Sequence, residues 1–257
     1  MKKILISLIA AFALLTPSMA QYRTQKYKAE GFTALTVSNA FEVQLVKSDK
    51  YGVTLDFPED CADYILVSKQ GGTLVIALKN KTPRKFRNGN YKFKATVSMP
   101  EIYGIYLSGA AKLATDDMFL MNMRPLEIHL SGASRITKLA VDGPSVELEL
   151  SGASKAEINL NAAEVEADVN GASKLILTGT VDDLSMDLTG ASTVNAKNVN
   201  AAKVDVECNG ASKAYVYVEK MLKVDLSGAS RCEYIAPEGV DLRVDSVTGA
   251  STLKRVQ

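Results

Sequence analysis

The sequence predicts an all-β chain wound as a right-handed parallel β-solenoid, and three observations carry that prediction. A six-residue motif, an apolar residue followed by Ser/Asn/Thr-Gly-Ala-Ser/Ala and a polar residue, occurs eight times. Its glycines, Gly109, Gly132, Gly152, Gly171, Gly190, Gly210, Gly228 and Gly249, are spaced by 23, 20, 19, 19, 20, 18 and 21 residues. Around the copies, apolar and polar residues alternate with period two, as in Val146-Glu-Leu-Glu-Leu150 and Ala156-Glu-Ile-Asn-Leu160, and no stretch sustains a period of 3.6.

A unit of this length spans roughly 66 Å at ~3.3 Å per extended residue, which suits one turn of a flattened coil. Each strand then pairs with its equivalent one turn on, and eight rungs at a spacing of ~4.8 Å make a rod about 35 Å long. Parallel crossovers are right-handed almost without exception, which sets the predicted hand. The unit reads as strand, glycine corner, strand and a short return, such as Asp142-Gly143-Pro144 or Asp182-Asp183. A leucine-rich repeat would carry a longer leucine pattern with an asparagine ladder, and a propeller blade would need two motif copies over about 40 residues.

Residues 1–20 have the form of a secretory signal. Lys2 and Lys3 precede an apolar run from Ile4 to Leu15, and small residues at Ser18 and Ala20 suit cleavage after Ala20. The run is too short to span a bilayer, and no second stretch of spanning length follows, so the expected mature chain is exported and starts at Gln21. It keeps 257 − 20 = 237 residues, and the 47% apolar content of the whole chain is ample for a core. The charge of +1 becomes 1 − 2 = −1 without the two lysines, which argues against a polybasic nucleic-acid binder.

Residues 21–106 are strand-rich but less regular. Candidate strands are Phe41–Val46, Val53–Phe57, Tyr64–Val67, Thr73–Leu78 and Tyr91–Val97, with Gln70-Gly-Gly72 as a hairpin turn. Lys79–Asn90 is rich in basic residues and reads as an exposed loop. In Val37-Ser-Asn-Ala-Phe41, Asn39 takes the glycine place of a degenerate motif copy, since asparagine tolerates positive φ, and the segment can start the same coil.

Residues 107–257 form the regular solenoid. Equivalent residues of stacked rungs fall in columns. The glycine column supplies positive φ or close approach at a tight corner, and the alanine column is expected to point inward. The Ser/Asn/Thr and Ser columns are expected to bond corner backbone groups. Catalysis by these serines lacks a base, because His129 is the only histidine. His129 shares its column with acidic residues and is expected to be exposed. Asp116-Asp117 and Asp182-Asp183 lack the spaced oxygens of a calcium loop. No cofactor or metal is expected. Near the last copy, Val244-Asp245-Ser246-Val247 breaks the alternation and predicts a bulge or terminal cap.

Two charged columns are candidate binding features. Glu149, Asp168, Asp187, Glu207 and Asp225 precede the corner, and Lys112, Arg135, Lys155, Lys174, Lys213 and Arg231 follow it. The simpler reading has both columns facing outward and offsetting one another across the corner. The alternative has the basic column binding an acidic polysaccharide or another anionic surface polymer. Cys208 and Cys232 can bridge on neighbouring rungs or serve, like Cys61, as buried apolar thiols. The alternating context favours the second.

Phe32-x-x-Leu35-x-Val37-Ser-Asn-Ala-Phe-Glu-Val43, Gly72-x-Leu74-x-Ile76 and Val97-Ser-Met-Pro100 lead into Tyr106-Leu-Ser-Gly-Ala110 and the Ser-Gly-Ala-Ser repeats. This combination, covering residues 31–253, resembles the auto-transporter adhesin head GIN domain family of exported Bacteroidetes-type proteins. The resemblance implies an exported β-helical adhesin with no catalytic residues to carry over. The expected function is therefore a non-enzymatic exported binding protein that engages surface glycan or an envelope partner. A structural envelope module and a β-helix polysaccharide lyase or hydrolase are the alternatives.

Overall fold

The computed structural model describes residues 21–88, 91–122 and 124–256; the segment read as a signal, 1–20, lies outside them. The described residues form eighteen strands in one hydrogen-bonded network. Before the repeats come β1 (Tyr22–Tyr27), β2 (Ala34–Val37), β3 (Phe41–Lys47), β4 (Gly52–Pro58), β5 (Ile65–Gln70), β6 (Thr73–Leu78) and β7 (Phe93–Met99). Then follow β8 (Gly104–Leu107), β9 (Lys112–Leu120), β10 (Leu126–Leu130), β11 (Arg135–Leu150), β12 (Lys155–Val169) and β13 (Lys174–Leu188). The last are β14 (Thr193–Cys208), β15 (Lys213–Leu226), β16 (Arg231–Ile235), β17 (Asp241–Val247) and β18 (Thr252–Arg255).

From β8 onward every pairing is parallel and joins equivalent residues of successive rungs. The predicted β-solenoid is present, with about eight turns of about 20 residues. Its core is built of stacked ladders. Val37, Leu107, Leu130, Leu150, Val169, Leu188, Cys208 and Leu226 pair in sequence up one ladder, each at most 2% exposed. Burying one leucine in this way contributes roughly 1.5–3 kcal/mol, so the period-two pattern becomes a continuous apolar interior.

Two details of the rung differ from the sequence reading. The return does not break the strand: Asp142-Gly143-Pro144 lies inside β11 and Asp182-Asp183 inside β13. The chain bends where the alternation slips, as at the consecutive exposed pair Ala163 and Glu164 of β12, so hydrogen bonding runs on from corner to corner. The alanine column is exposed rather than inward, and it is the following serine that points into the core. Ser134, Ser154, Ser173, Ser192, Ser212 and Ser230 are each at most 1% exposed. The left-handed glycine, φ +70 to +78° at the eight corners, turns the alanine Cβ to solvent and the next side chain inward. Each alanine N–H donates to the corner residue one rung back at 2.6–2.8 Å. Several buried hydroxyls find partners inside: Ser134 donates to the Leu107 carbonyl at 3.3 Å, and Ser154 meets Ser173 at 3.2 Å.

The N-terminal third extends the coil out of chain order. β2 pairs in parallel with β6 on one side and β8 on the other, and β3 lies likewise between β7 and β9. The rung made by β2 and β3 is therefore sandwiched between a later segment and the first full repeat. Asn39 at φ +68° begins the glycine column: Ala110 N–H donates to its carbonyl at 2.6 Å, and its side-chain oxygen accepts from Leu78 N–H at 2.8 Å. Antiparallel strands close this end. β4 pairs with β7, β1 with β4, and β5 with β6 through the Gly71-Gly72 hairpin. A 3₁₀ turn, Glu59–Tyr64, and a one-turn helix, Arg84–Arg87, fill the connections. The helix inserts Phe86 between Tyr64 and Tyr91, so the basic loop is pinned by an aromatic cluster.

At the last copy the register slips between Val224↔Val244 and Asp225↔Ser246, leaving Asp245 as the extra residue of a bulge. Cys61, Cys208 and Cys232 are free and buried. Desolvation first, with neighbouring negative charge second for Cys61 and Cys232, raises these thiols to about 11, about 11 and about 12. They stay protonated and unreactive at neutral pH.

Candidate binding surface

The outward residues of the strands before and after the corner make two faces of opposite character. After the corner, the ladder aligns Glu42, Lys112, Arg135, Lys155, Lys174, Thr193, Lys213, Arg231 and Thr252. All six predicted cations thus share one column. Lys112, Arg135, Lys155 and Lys174 occupy adjacent rungs, Thr193 interrupts, and Lys213 and Arg231 follow.

Before the corner, Tyr106, His129, Glu149, Asp168, Asp187, Glu207 and Asp225 align. Two residues earlier lies a second acidic column, Glu127, Glu147 and Glu166, continued by Ser185 and Asp205. Sequence reading missed this second column, although Val146-Glu-Leu-Glu-Leu150 spells it: a period-two strand that buries every other residue must present both glutamates on one face.

Among the described residues no ion pair joins the acidic columns to the basic one. Charges are instead relieved within each face. Lys112 meets Glu42 at 2.8 Å and Arg231 meets Glu233 at 3.6 Å. On the acidic side, Lys203 meets Asp183 at 2.9 Å, and Lys223 reaches Asp205 at 3.0 Å and Asp245 at 3.4 Å. The hydrogen bond from Lys112 holds the Glu42 carboxyl below the ordinary carboxylate range, with Lys112, Lys92 and Lys94 adding charge.

Asp187 shows what the uncompensated part of the acidic column costs. Partial burial first, and the Asp168 charge second, raise its carboxyl above the ordinary range. An acid whose folded pKa is raised loses stability as pH climbs from the ordinary carboxylate range through the raised value. Asp187→Asn is expected to stabilise the protein at pH 7 by at most about a few tenths of a kcal/mol, because the site is exposed. The gain should vanish in acid, and paired thermal melts at pH 7 and pH 3 measure it. A variant less stable at pH 7 would contradict the repulsion.

The acidic column ends in two rungs without a carboxylate, His129 and Tyr106. The His129 ring stacks on Tyr106 with centroids 5.2 Å apart, and its Nδ1 lies 2.6 Å from Glu149 Oε2. Tyr106 donates to Glu127 Oε2 at 2.7 Å, and that bond, with burial, raises its phenol to about 12. His129 is half exposed, as its column position implied. Asp116 pairs with Lys138 at 2.7 Å, and Asp117 accepts from Lys47 N–H at 2.8 Å. Among the described residues, no group of three or more His, Cys, Asp or Glu is placed to hold a metal ion.

Three shallow grooves lie on these faces. One of about 430 Å³ lies between Glu42, Gln44, Asp56, Lys94, Lys112 and Thr137. A second, about 200 Å³, runs across three rungs between Arg135, Thr137, Lys155, Glu157, Lys174 and Ile176. The third, about 300 Å³, lies on the opposite face beside Thr36, Tyr106, Ser108, His129, Ser131 and Glu149.

Fold and surface together define a parallel β-solenoid that repeats its charged side chains rung after rung. The chain belongs to the family described as "Putative auto-transporter adhesin, head GIN domain", which it matches over residues 31–236. Solved structures share the fold. A protein of Parabacteroides distasonis described as a putative lipid binding protein superposes with a TM-score of 0.81 at 19% identity, over 92% of this chain and 97% of that one. A putative adhesin from the same organism gives 0.82 at 16% identity, over 92% and 98%. A putative adhesin from Parabacteroides merdae gives 0.72 at 17% identity, over 92% and 97%. A comparison with curated proteins found no match. No helix among the described residues is long and apolar enough to cross a membrane.

Proposed function

We propose that this is an exported, non-enzymatic binding protein that holds an acidic surface polysaccharide against the sheet bearing Lys112, Arg135, Lys155, Lys174, Lys213 and Arg231. The observation that carries the reading is the basic column itself. Like charges stacked at the ladder spacing of ~4.8 Å repel, and among the described residues most of these cations have no carboxylate within ion-pair distance. A polyanion relieves that repulsion by replacing the small counterions the column otherwise collects, and a linear one can follow it along the rod. The adhesin description of the family and of several structural neighbours agrees with a binding role. The lipid-binding description of one neighbour raises an acyl chain as an occupant, but charged faces suit a polyanion better.

The regular repetition of the acidic columns from rung to rung supports the non-enzymatic reading, since glycan-cleaving sites rest on one non-repeating pair of carboxylates. The test is retention of residues 21–257 on immobilised uronate polymer and on neutral glucan, at low and high salt. Retention on the uronate polymer alone, released by salt, is expected. Failure to bind any acidic polymer at low salt would overturn the reading.

A further inference from the structure

We infer that the anion site is a three-rung window formed by Arg135, Lys155 and Lys174, and that the bound polysaccharide runs along the solenoid axis, across the strands. This rests on the polyanion reading above and narrows it from six cations to three.

The boundaries of the window come from ion pairing and from one substitution in the repeat. On the N-terminal side Lys112 is occupied by Glu42 at 2.8 Å. On the other side Thr193 stands where a cation would continue the row, directly in register with Lys174 and Lys213. Lys213 is thereby left without a cationic neighbour toward the window, and Arg231 beyond it reaches Glu233 at 3.6 Å. Arg135, Lys155 and Lys174 are consecutive in register, and none of the three has a carboxylate oxygen within ion-pair distance among the described residues.

Shape gives a second observation, independent of charge. The groove of about 200 Å³ coincides with this stretch: its walls are the three cations, with Thr137, Glu157 and Ile176 two residues further along the same three strands. It therefore crosses the strands, and a chain lying in it follows the axis. Three cations at ~4.8 Å spacing place their charges over about 10 Å, which matches a few units of an extended chain.

The groove also selects the kind of polyanion. Glu157 and Thr137 lie in it beside the cations. A carboxylate accepts hydrogen bonds from hydroxyl groups and repels any anionic group set against it, so the residue set suits a ligand that presents free hydroxyls to Glu157 and anionic groups to the cations. An acidic polysaccharide has both. A nucleic-acid strand would need many more phosphate contacts than three to bind firmly in salt.

The test measures binding of soluble polygalacturonate, with single-stranded DNA as comparator, over a range of salt concentrations. With three contacts, and taking the ~0.7 per charge of a flexible single-stranded polyanion, the log–log salt slope of the native protein is expected near about −2, against about −4 for all six cations. Lys155→Ala should weaken binding about fivefold at low salt and flatten the slope, a clearly larger loss than Lys213→Ala or Arg231→Ala produces. Thr193→Lys should steepen the slope by at least one contact, because it joins the window to Lys213, and this gain cannot come from misfolding. Equal losses for Lys213→Ala and Lys155→Ala, or no gain from Thr193→Lys, would overturn the window and leave the polyanion reading standing. DNA bound more tightly than polygalacturonate would overturn the ligand class. Absence of polygalacturonate binding by the native protein at low salt would remove both.

Discussion

Gly179→Ala is expected to destabilise the protein by about 3 kcal/mol or more, or to prevent folding altogether. Gly179 lies inside β13 at φ +117°, and a Cβ there would sit 1.9 Å from the carbonyl oxygen of Leu160, its register partner on β12. That oxygen belongs to the backbone of a strand locked on both sides, so it cannot move aside without breaking the ladder. The position absorbs an irregularity. β13 matches β12 residue for residue here, whereas its pairing with β14 slips between Ile176 and Thr178. Urea denaturation followed by circular dichroism measures the loss, with Gly72→Ala as control. Gly72 has ordinary φ, and the nearest atom to a Cβ there is 3.8 Å away, so that change should shift stability little. A Gly179→Ala protein within 0.5 kcal/mol of native, about the scatter of neutral surface changes, would refute the reading of this site.

Leu188→Ala should cost about 2–5 kcal/mol. Leu188 is fully buried, stacked between Val169 and Cys208 in the central ladder, and its truncation leaves a cavity that rigid neighbouring rungs cannot fill. In a quasi-one-dimensional fold each rung touches only its neighbours, so damage in the middle weakens the coupling between the two halves. The urea midpoint is expected to fall and the transition to broaden as the halves begin to unfold separately. A change under about 1 kcal/mol would show that the ladder packs more loosely than its burial indicates.

The regular part of the fold was legible because one geometric demand is written eight times. A corner glycine, an alternating strand and a fixed spacing leave a parallel coil as the arrangement that buries all the apolar residues at once. Asn39 was readable on the same ground, since a side chain tolerating positive φ occupied the corner place. The bulge at Asp245 was readable as a slip in an otherwise strict alternation. Which of the two small motif residues faces inward was not legible. Alanine looks like the core residue by composition, yet backbone dihedrals at the glycine turn the alanine outward and bury the serine. Gly179 was missed because its need arises from a carbonyl on the neighbouring strand, and β1 because its partner β4 lies some thirty residues away in sequence.

The candidate surface divides in the same way. The sequence placed Lys112, Arg135, Lys155, Lys174, Lys213 and Arg231 at one motif position, and stacking makes a column of them. Ion pairing depends on partners far along the chain, and this set Lys112 apart through Glu42, seventy residues distant.

The amino-acid order alone determined that this chain coils, how long each storey is and which residues align, because these follow from local periodicity and corner chemistry. Only the tertiary structure decided that an early rung is inserted between later ones, that antiparallel strands seal one end, and which cations stay unpaired. Those outcomes rest on contacts between distant segments, whose geometry no local pattern encodes.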